Sequence, residues 1–185
     1  MRISMNQFSD NQTLAGALPG QRAFGILVKE LPVVSTAEIC FLDFSGVEIA
    51  TSSFLRESIC AFRHYIRAHM PLLYPVASNM SSQTIEEFDS FLRLRNDAFL
   101  VCDLDSGNRT TNPRLIGILD GKQRDAFDAV LLRKETDAPT LSRESADVVS
   151  TTAWNNRLSA LSTKGILIET TNGRGKCYRP VLEGI

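Results

Sequence analysis

"LDFSGVEIATSSFLRESI" occupies residues 42–59. It reads as the end of an apolar strand, a small-residue loop and the opening of an amphipathic helix. Asp43 is expected as an exposed acid where the strand ends. Three hydroxyls, Thr51, Ser52 and Ser53, stand together at the helix start. A helix N-terminus leaves backbone N–H groups without partners, and a hydroxyl there satisfies one of them. Ser52 and Ser53 are the expected caps, with Phe54 packing under the sheet. Over 52–69, Leu55, Ile59, Phe62 and Ile66 recur on one helical face, and Arg56, Glu57, Arg63 and Arg67 are expected to face away.

Working outward, residues 1–22 have little periodicity and contain Gly16, Pro19 and Gly20, so a loose arm or a short edge element is expected. "AFGILVKEL" (23–31) and "TAEICFLDF" (36–44) are strand-like and flank Pro32. Downstream come a short strand at 71–79 and a helix at 81–96. Ser81 or Ser82 would cap that helix, with Ile85, Phe88, Phe91 and Leu92 inward. Strands follow at 98–105 and 113–119. Strands alternating with helices predict an α/β domain over 23–120. The pattern changes after Asp120. Helices are predicted at 122–135, 141–149 and 152–165, the last stopped by Gly165. Residues 166–181 alternate about Asn172-Gly173 and predict a β-hairpin. The expected organisation is an arm (1–22), an α/β domain (23–120) and a helical unit with a hairpin (121–185).

The chain has 185 residues, 43% of them hydrophobic and 22% charged, which suits a packed core. Net charge is −1, so the whole is no polycation. The charge is uneven: residues 121–185 carry ten Lys/Arg against eight Asp/Glu. Within 151–185, Arg157, Lys164, Arg174, Lys176 and Arg179 face only Glu169 and Glu183, a local signal compatible with nucleic acid. Cys40, Cys60, Cys102 and Cys177 form no C-x-x-C pair and read as buried small hydrophobes in a reducing compartment. No apolar run reaches the length of a membrane span. "MRISMNQFSDNQ" has no signal-peptide pattern. A cytoplasmic bacterial protein is the expectation.

Catalytic patterns fail on geometry. Asp43, Ser52 and His64 look like a triad, but His64 lies about three helical turns, roughly 18 Å, beyond Ser52. His64 and His69 are not the i,i+4 pair of a helical metal site. "DLDSGN" (103–108) lacks the carboxylates of a calcium loop. No Gly-rich phosphate loop with its Lys occurs. Neither an enzyme activity nor a cofactor or metal is expected.

The stretch at 42–59 resembles the signature of STAS domains, the α/β fold of anti-sigma factor antagonists, and more closely a STAS-like bacterial family without a settled function. Asp43, Ser45, Gly46, Val47, Ser52, Ser53 and Leu55 match in order. The resemblance covers about 20–105 and implies a partner-docking domain. In the antagonists the first Ser of the pair is phosphorylated by a partner kinase, and that Ser matches Ser52. The antagonists carry Asp before it and Gly after the second Ser, where this chain has Thr51 and Phe54. Asp43, Thr51, Ser52 and Ser53 are the candidate partner or phosphorylation residues, with a histidine-kinase-like ATPase as an implied partner.

"TTAWNNRLSALSTKGILIETTNGRGKCYRP" resembles the recognition helix and wing of bacterial winged helix-turn-helix proteins, over about 121–182. Asn156-Arg157-Leu158, Leu161, Lys164-Gly165-Ile166, Gly173-Arg174-Gly175 and Tyr178 carry the likeness. The "VVST" segment before the third helix lacks the glycine common in such turns. Trp154, Leu158 and Leu161 can pack inward, leaving Thr151, Thr152, Asn155, Asn156 and Arg157 near the exposed helix start. Asn can pair with adenine, Arg with guanine or phosphate, and Arg174 and Lys176 would lie over a backbone or minor groove. These seven residues are the candidate contacts to duplex DNA. The expected whole is an α/β STAS-like domain followed by a winged helix-turn-helix domain of three helices plus a β-hairpin. It would act as a DNA-binding regulator; the alternative is a protein-interaction adaptor. Such regulators are often dimers, so a homodimer is one expectation.

Overall fold

A computed structural model describes residues 1–9, 11–145, 149–173 and 175–185, with Asn172 described by its backbone alone. The fold is mixed α/β. Its main sheet runs β1 (Arg2–Ser4), β3 (Glu38–Asp43), β5 (Leu73–Ser78), β6 (Ala98–Leu104) and β7 (Thr110–Gly117), in that order. The first four are parallel and β7 returns antiparallel on β6. A small parallel pair, β2 (Thr13–Leu14) and β4 (Ile49–Ala50), sits apart from it. Pro75 has no N–H to give, and the β5–β6 ladder registers only Ala77 and Ser78 against Val101 and Cys102.

The parallel strands are joined by α1 (Ala17–Lys29), by α2 (Ser52–Leu55) running through a π-helical turn (Arg56–Cys60) into α3 (Ala61–His69), and by α4 (Ser82–Arg93). Strand order advances in one direction, so right-handed crossovers put all these helices on one face. Leu55, Ile59, Phe62 and Ile66 are fully buried there, as their spacing predicts. Alternation along β6 divides its residues between two cores: Phe99 and Val101 join the α1–α4 side, and Ala98, Leu100 and Cys102 the other.

Residues 23–31 are a correction: the expected strand is the second half of helix α1, ending at Lys29. Buried Gly20, Ala23 and Leu27, with Phe24, Val28 and Leu31 partly buried beside them, follow helical spacing. Pro19 lies in the first turn, where a missing N–H costs nothing. Gly20 is there for contact, because a Cβ would come within 2.8 Å of the Phe54 carbonyl oxygen. The start of the chain is no loose arm either. β1 is the short edge strand, registered Arg2 to Phe41 and Ser4 to Asp43.

The opposite face of the sheet is covered by the C-terminal third: α5 (Gly121–Arg133), α6 (Ala138–Glu144), α7 (Thr151–Thr163) and the hairpin β8 (Leu167–Asn172) and β9 (Gly175–Pro180). Tyr74, Val76, Leu100 and Cys102 share one core with Phe127, Leu158, Leu161, Ile166 and Tyr178. The change of pattern at Asp120 is therefore a cap and not a break in packing; the Asp120 carboxylate accepts from Gln123 N–H at 2.8 Å. α6 starts and stops earlier than the 141–149 expected. Asp137 caps it, its carboxylate accepting from Thr140 N–H at 2.7 Å, and residues 146–148 lie outside the described ones. Among the described residues no helix is long and apolar enough to cross a membrane.

Candidate nucleic-acid interface and partner loop

Between α5 and α6 the chain touches the hairpin. Thr136 N–H donates to the Tyr178 carbonyl at 3.0 Å, and Tyr178 N–H to the Thr136 carbonyl at 2.8 Å. The C-terminal third thus runs helix, bridging residue, helix, helix and two strands. Ser150 caps α7 through Ala153 N–H at 3.2 Å. Trp154, Leu158 and Leu161 point inward, and Trp154 is 6% exposed. Thr151, Thr152 and Asn156 are exposed at the start of α7. Asn155 is half-buried and accepts from the Tyr178 hydroxyl at 3.3 Å. The Arg157 guanidinium lies over the Trp154 ring, 4.8 Å from its centroid.

Thr151, Asn155 and Lys176 meet in one groove of about 330 Å³, closed by Asp137, Ala138, Pro139 and Gly175. The bond from Thr140 holds the Asp137 carboxyl below the usual carboxylate range, so a negative charge stands in that groove. Lys176 is not a free wing cation: its Nζ meets Glu169 Oε1 at 2.7 Å across the hairpin. Arg174, the other expected wing contact, lies outside the described residues.

The loop after β3 departs from expectation in its acid. Asp43 is 3% exposed, not a solvated strand end. Its Oδ2 accepts from Arg2 Nε at 3.0 Å and Nη2 at 2.6 Å. Its Oδ1 accepts from Asn79 Nδ2 at 2.7 Å and from Ser45 Oγ at 2.9 Å. Burial works against ionisation, but the bonds from Asn79, Arg2 and Ser45 outweigh it and hold Asp43 below its ordinary pKa. Asp43 is therefore a tie between the ends of β1, β3 and β5. Asn79, which is not among the expected site residues, ties in a fourth strand, its Oδ1 accepting from Leu104 N–H at the end of β6 at 2.8 Å. The sequence marks it only as an Asn just past a strand; the structure holds it at φ 55°, a region Asn tolerates.

The cap of α2 is Thr51, not Ser52 or Ser53. Thr51 Oγ1 accepts from Phe54 N–H at 3.4 Å and lies 3.1 Å from Ser53 Oγ. Ser52 N–H is taken by Glu87 Oε1 at 3.0 Å, from α4. Phe54 is fully buried, as expected. The place a phosphate on Ser52 would favour is thus already held by a carboxylate.

Arg63 on α3 is a correction. Expected on the solvent side, it is 3% exposed. Nη1 donates to the Ala98 carbonyl at 2.7 Å and Nη2 to the Asp97 carboxylate. Lys164, at the end of α7, donates to the other Asp97 oxygen at 2.8 Å. This carboxylate joins α3, the start of β6 and the candidate recognition helix. "DLDSGN" is a closed turn, Asp105 accepting from Gly107 and Arg109 N–H at 2.8 and 2.9 Å. Among the described residues no group of three or more His, Cys, Asp or Glu is arranged to hold a metal ion. No family model matches the chain, and a search of curated proteins finds no match.

Proposed function

We propose that this protein is a cytoplasmic DNA-binding regulator, in which a STAS-like α/β part docks a partner and a winged helix-turn-helix part binds duplex DNA. The observation that carries the reading is the Thr136–Tyr178 bridge. It adds a third, short strand position to the hairpin, and with it the order of elements is that of a winged helix. α7 then takes the recognition position, with Thr151, Thr152 and Asn156 outward at its start. A helix start with exposed donors suits a phosphate, and an exposed Asn suits a base edge. The α/β part supports partner docking through the loop of Thr51, Ser52 and Ser53.

The test is a salt-titrated gel shift of the full chain on its own promoter fragment. Binding should weaken steeply with salt. Asn156→Ala should cost roughly 1–3 kcal/mol on the preferred site and little on unrelated duplex. A variant that keeps the wild-type preference removes Asn156 as the reader.

One feature of the surface favours the other reading, an adaptor for a histidine-kinase-like ATPase. Lys176 is paired with Glu169, and Asp137 stands in the groove beside it, so Lys176 brings no free positive charge to that groove. Duplex affinity that does not respond to salt, together with capture of such an ATPase that is lost in Ser52→Asp, would select the adaptor.

A further inference from the structure

Beside the Asp97 clamp lies an open cavity of about 310 Å³, lined by Arg63, His64, Arg95, Asp97, Thr163 and Lys164. Arg63, Arg95 and Lys164 are permanent cations around a single carboxylate, so its wall carries a net positive charge even with His64 neutral. Asp97 is already engaged by two of them. One oxygen takes Arg63; the other takes Lys164 at 2.8 Å and Ala98 N–H at 2.9 Å. Arg95 lies over the Phe91 ring at 4.9 Å and has no carboxylate partner among the ion pairs of the described residues. His64 makes no hydrogen bond among the described residues. Lys164 has three donors and uses two, on Asp97 and on the Asn96 carbonyl at 3.4 Å. Three elements therefore aim unspent donors into one polar cavity.

The field there is positive. His64 is driven below its ordinary pKa, first by partial burial and then by the charges of Arg63 and Lys164, which outweigh Asp97. The C-terminal end of α7 contributes roughly half a negative charge, less than the excess of the side chains. An anion entering the cavity would be met by charge-assisted bonds and would reverse the pressure on His64.

We propose that this cavity is a binding site for a small oxyanion-bearing ligand, a phosphate or phosphate monoester, held by Arg95, Lys164 and His64. The volume is at the lower end for small-molecule sites, and the lining is polar, so the anionic group is what it recognises. The site spans α3, the turn after α4 and the end of α7. Occupancy would tighten the hold of the sheet on α7; that consequence rests on the DNA-binding reading, and the anion site does not.

The experiment follows the two histidine rings of the full chain by NMR while inorganic phosphate is titrated against chloride at fixed ionic strength. The expected result is a rise in the titration midpoint of His64. His69, five residues on and stacked on Tyr65 at 4.5 Å, should not move. Arg95→Ala should weaken phosphate roughly tenfold or more, and Arg95→Lys should recover part of it. Arg95 is exposed, so both variants should unfold at the wild-type urea midpoint. Equal shifts at His64 and His69, or wild-type phosphate affinity in Arg95→Ala, would overturn the site. A second arm replaces phosphate with unrelated duplex DNA. If the duplex moves His64 and phosphate does not, the cavity is a backbone contact and the small-ligand site is refuted. If phosphate moves His64 while no duplex binds at any salt, the anion site stands and the DNA reading fails.

Discussion

Asp97→Ala isolates what the clamp between sheet and helices contributes. Removing the carboxylate leaves Arg63, 3% exposed, with the Ala98 carbonyl and the face of the Phe99 ring but no counter-charge. Breaking a buried ion pair from one side costs about 3–5 kcal/mol, because the remaining charge stays desolvated. The Asp97 side chain is 19% exposed, so water can reach part of the gap, and about 2–4 kcal/mol is the working figure. With a urea slope of about 2 kcal/mol per molar, the unfolding midpoint should fall by roughly 1–2 M. Lys164→Ala should move it far less, since Asp97 keeps the Arg63 guanidinium and the Ala98 N–H as partners. Arg63→Met added to Asp97→Ala should recover stability, because the stranded charge is gone.

The same variant carries a pH signature. Burial resists ionisation of Asp97, but the charge of Arg63 and the bond from Lys164 win and place its folded pKa below the ordinary value. Its contribution is therefore full above the unfolded Asp pKa of about 3.9 and is lost as pH falls through the folded value. The stability gap between wild type and Asp97→Ala should narrow on acidification below about pH 4. Urea midpoints measured across pH 3–7 decide it. A midpoint within 0.3 M of wild type at pH 7, roughly 0.6 kcal/mol at that slope, would refute the claim that this carboxylate compensates a buried charge.

Gly117→Ala should destabilise severely. Gly117 has a φ of +84°, and a Cβ there would meet the Asp97 carbonyl oxygen at 2.2 Å, so a loss of about 3 kcal/mol or more and a fall of roughly 10 °C in Tm are expected by calorimetry. Thr51→Ala should cost about 1 kcal/mol and Ser52→Ala almost nothing, which chemical denaturation can separate, because the cap hydroxyl belongs to Thr51. Ser52→Asp should destabilise by about 0.5 kcal/mol, and Glu87→Gln should relieve it, since Glu87 already occupies the Ser52 N–H. Lys176→Ala should lower the salt slope of duplex binding by about one only after Glu169 is also neutralised, because the two are paired at 2.7 Å in the free protein.

Local pattern carried much of this architecture. The α3 face, the helix after Ser81, the strand expected at 98–105 and the hairpin about Asn172-Gly173 were legible because period, cap and turn residue are properties of neighbours in sequence. The run at 23–31 misled because a short apolar stretch has no clear period of its own. What resolves it is the face it buries, and Gly20 lying against the Phe54 carbonyl is a contact 34 positions away. Charged residues were the least legible part of the candidate site. Arg63 and Asp43 look solvated in any local window. Their partners, Asp97 and Arg2, lie 34 and 41 residues off, and Lys164 reaches Asp97 across 67. Outside the run at 23–31 and the α2 cap, sequence by itself determined where most strands, helices and hydroxyl caps form, because backbone satisfaction and side-chain period are short-range. Tertiary structure alone decided that the C-terminal helices close the second face of the sheet, and that Asp97 sits where three segments converge. Burying a charge is tolerable only when its partner arrives with it, and that pairing is made by packing distant segments together.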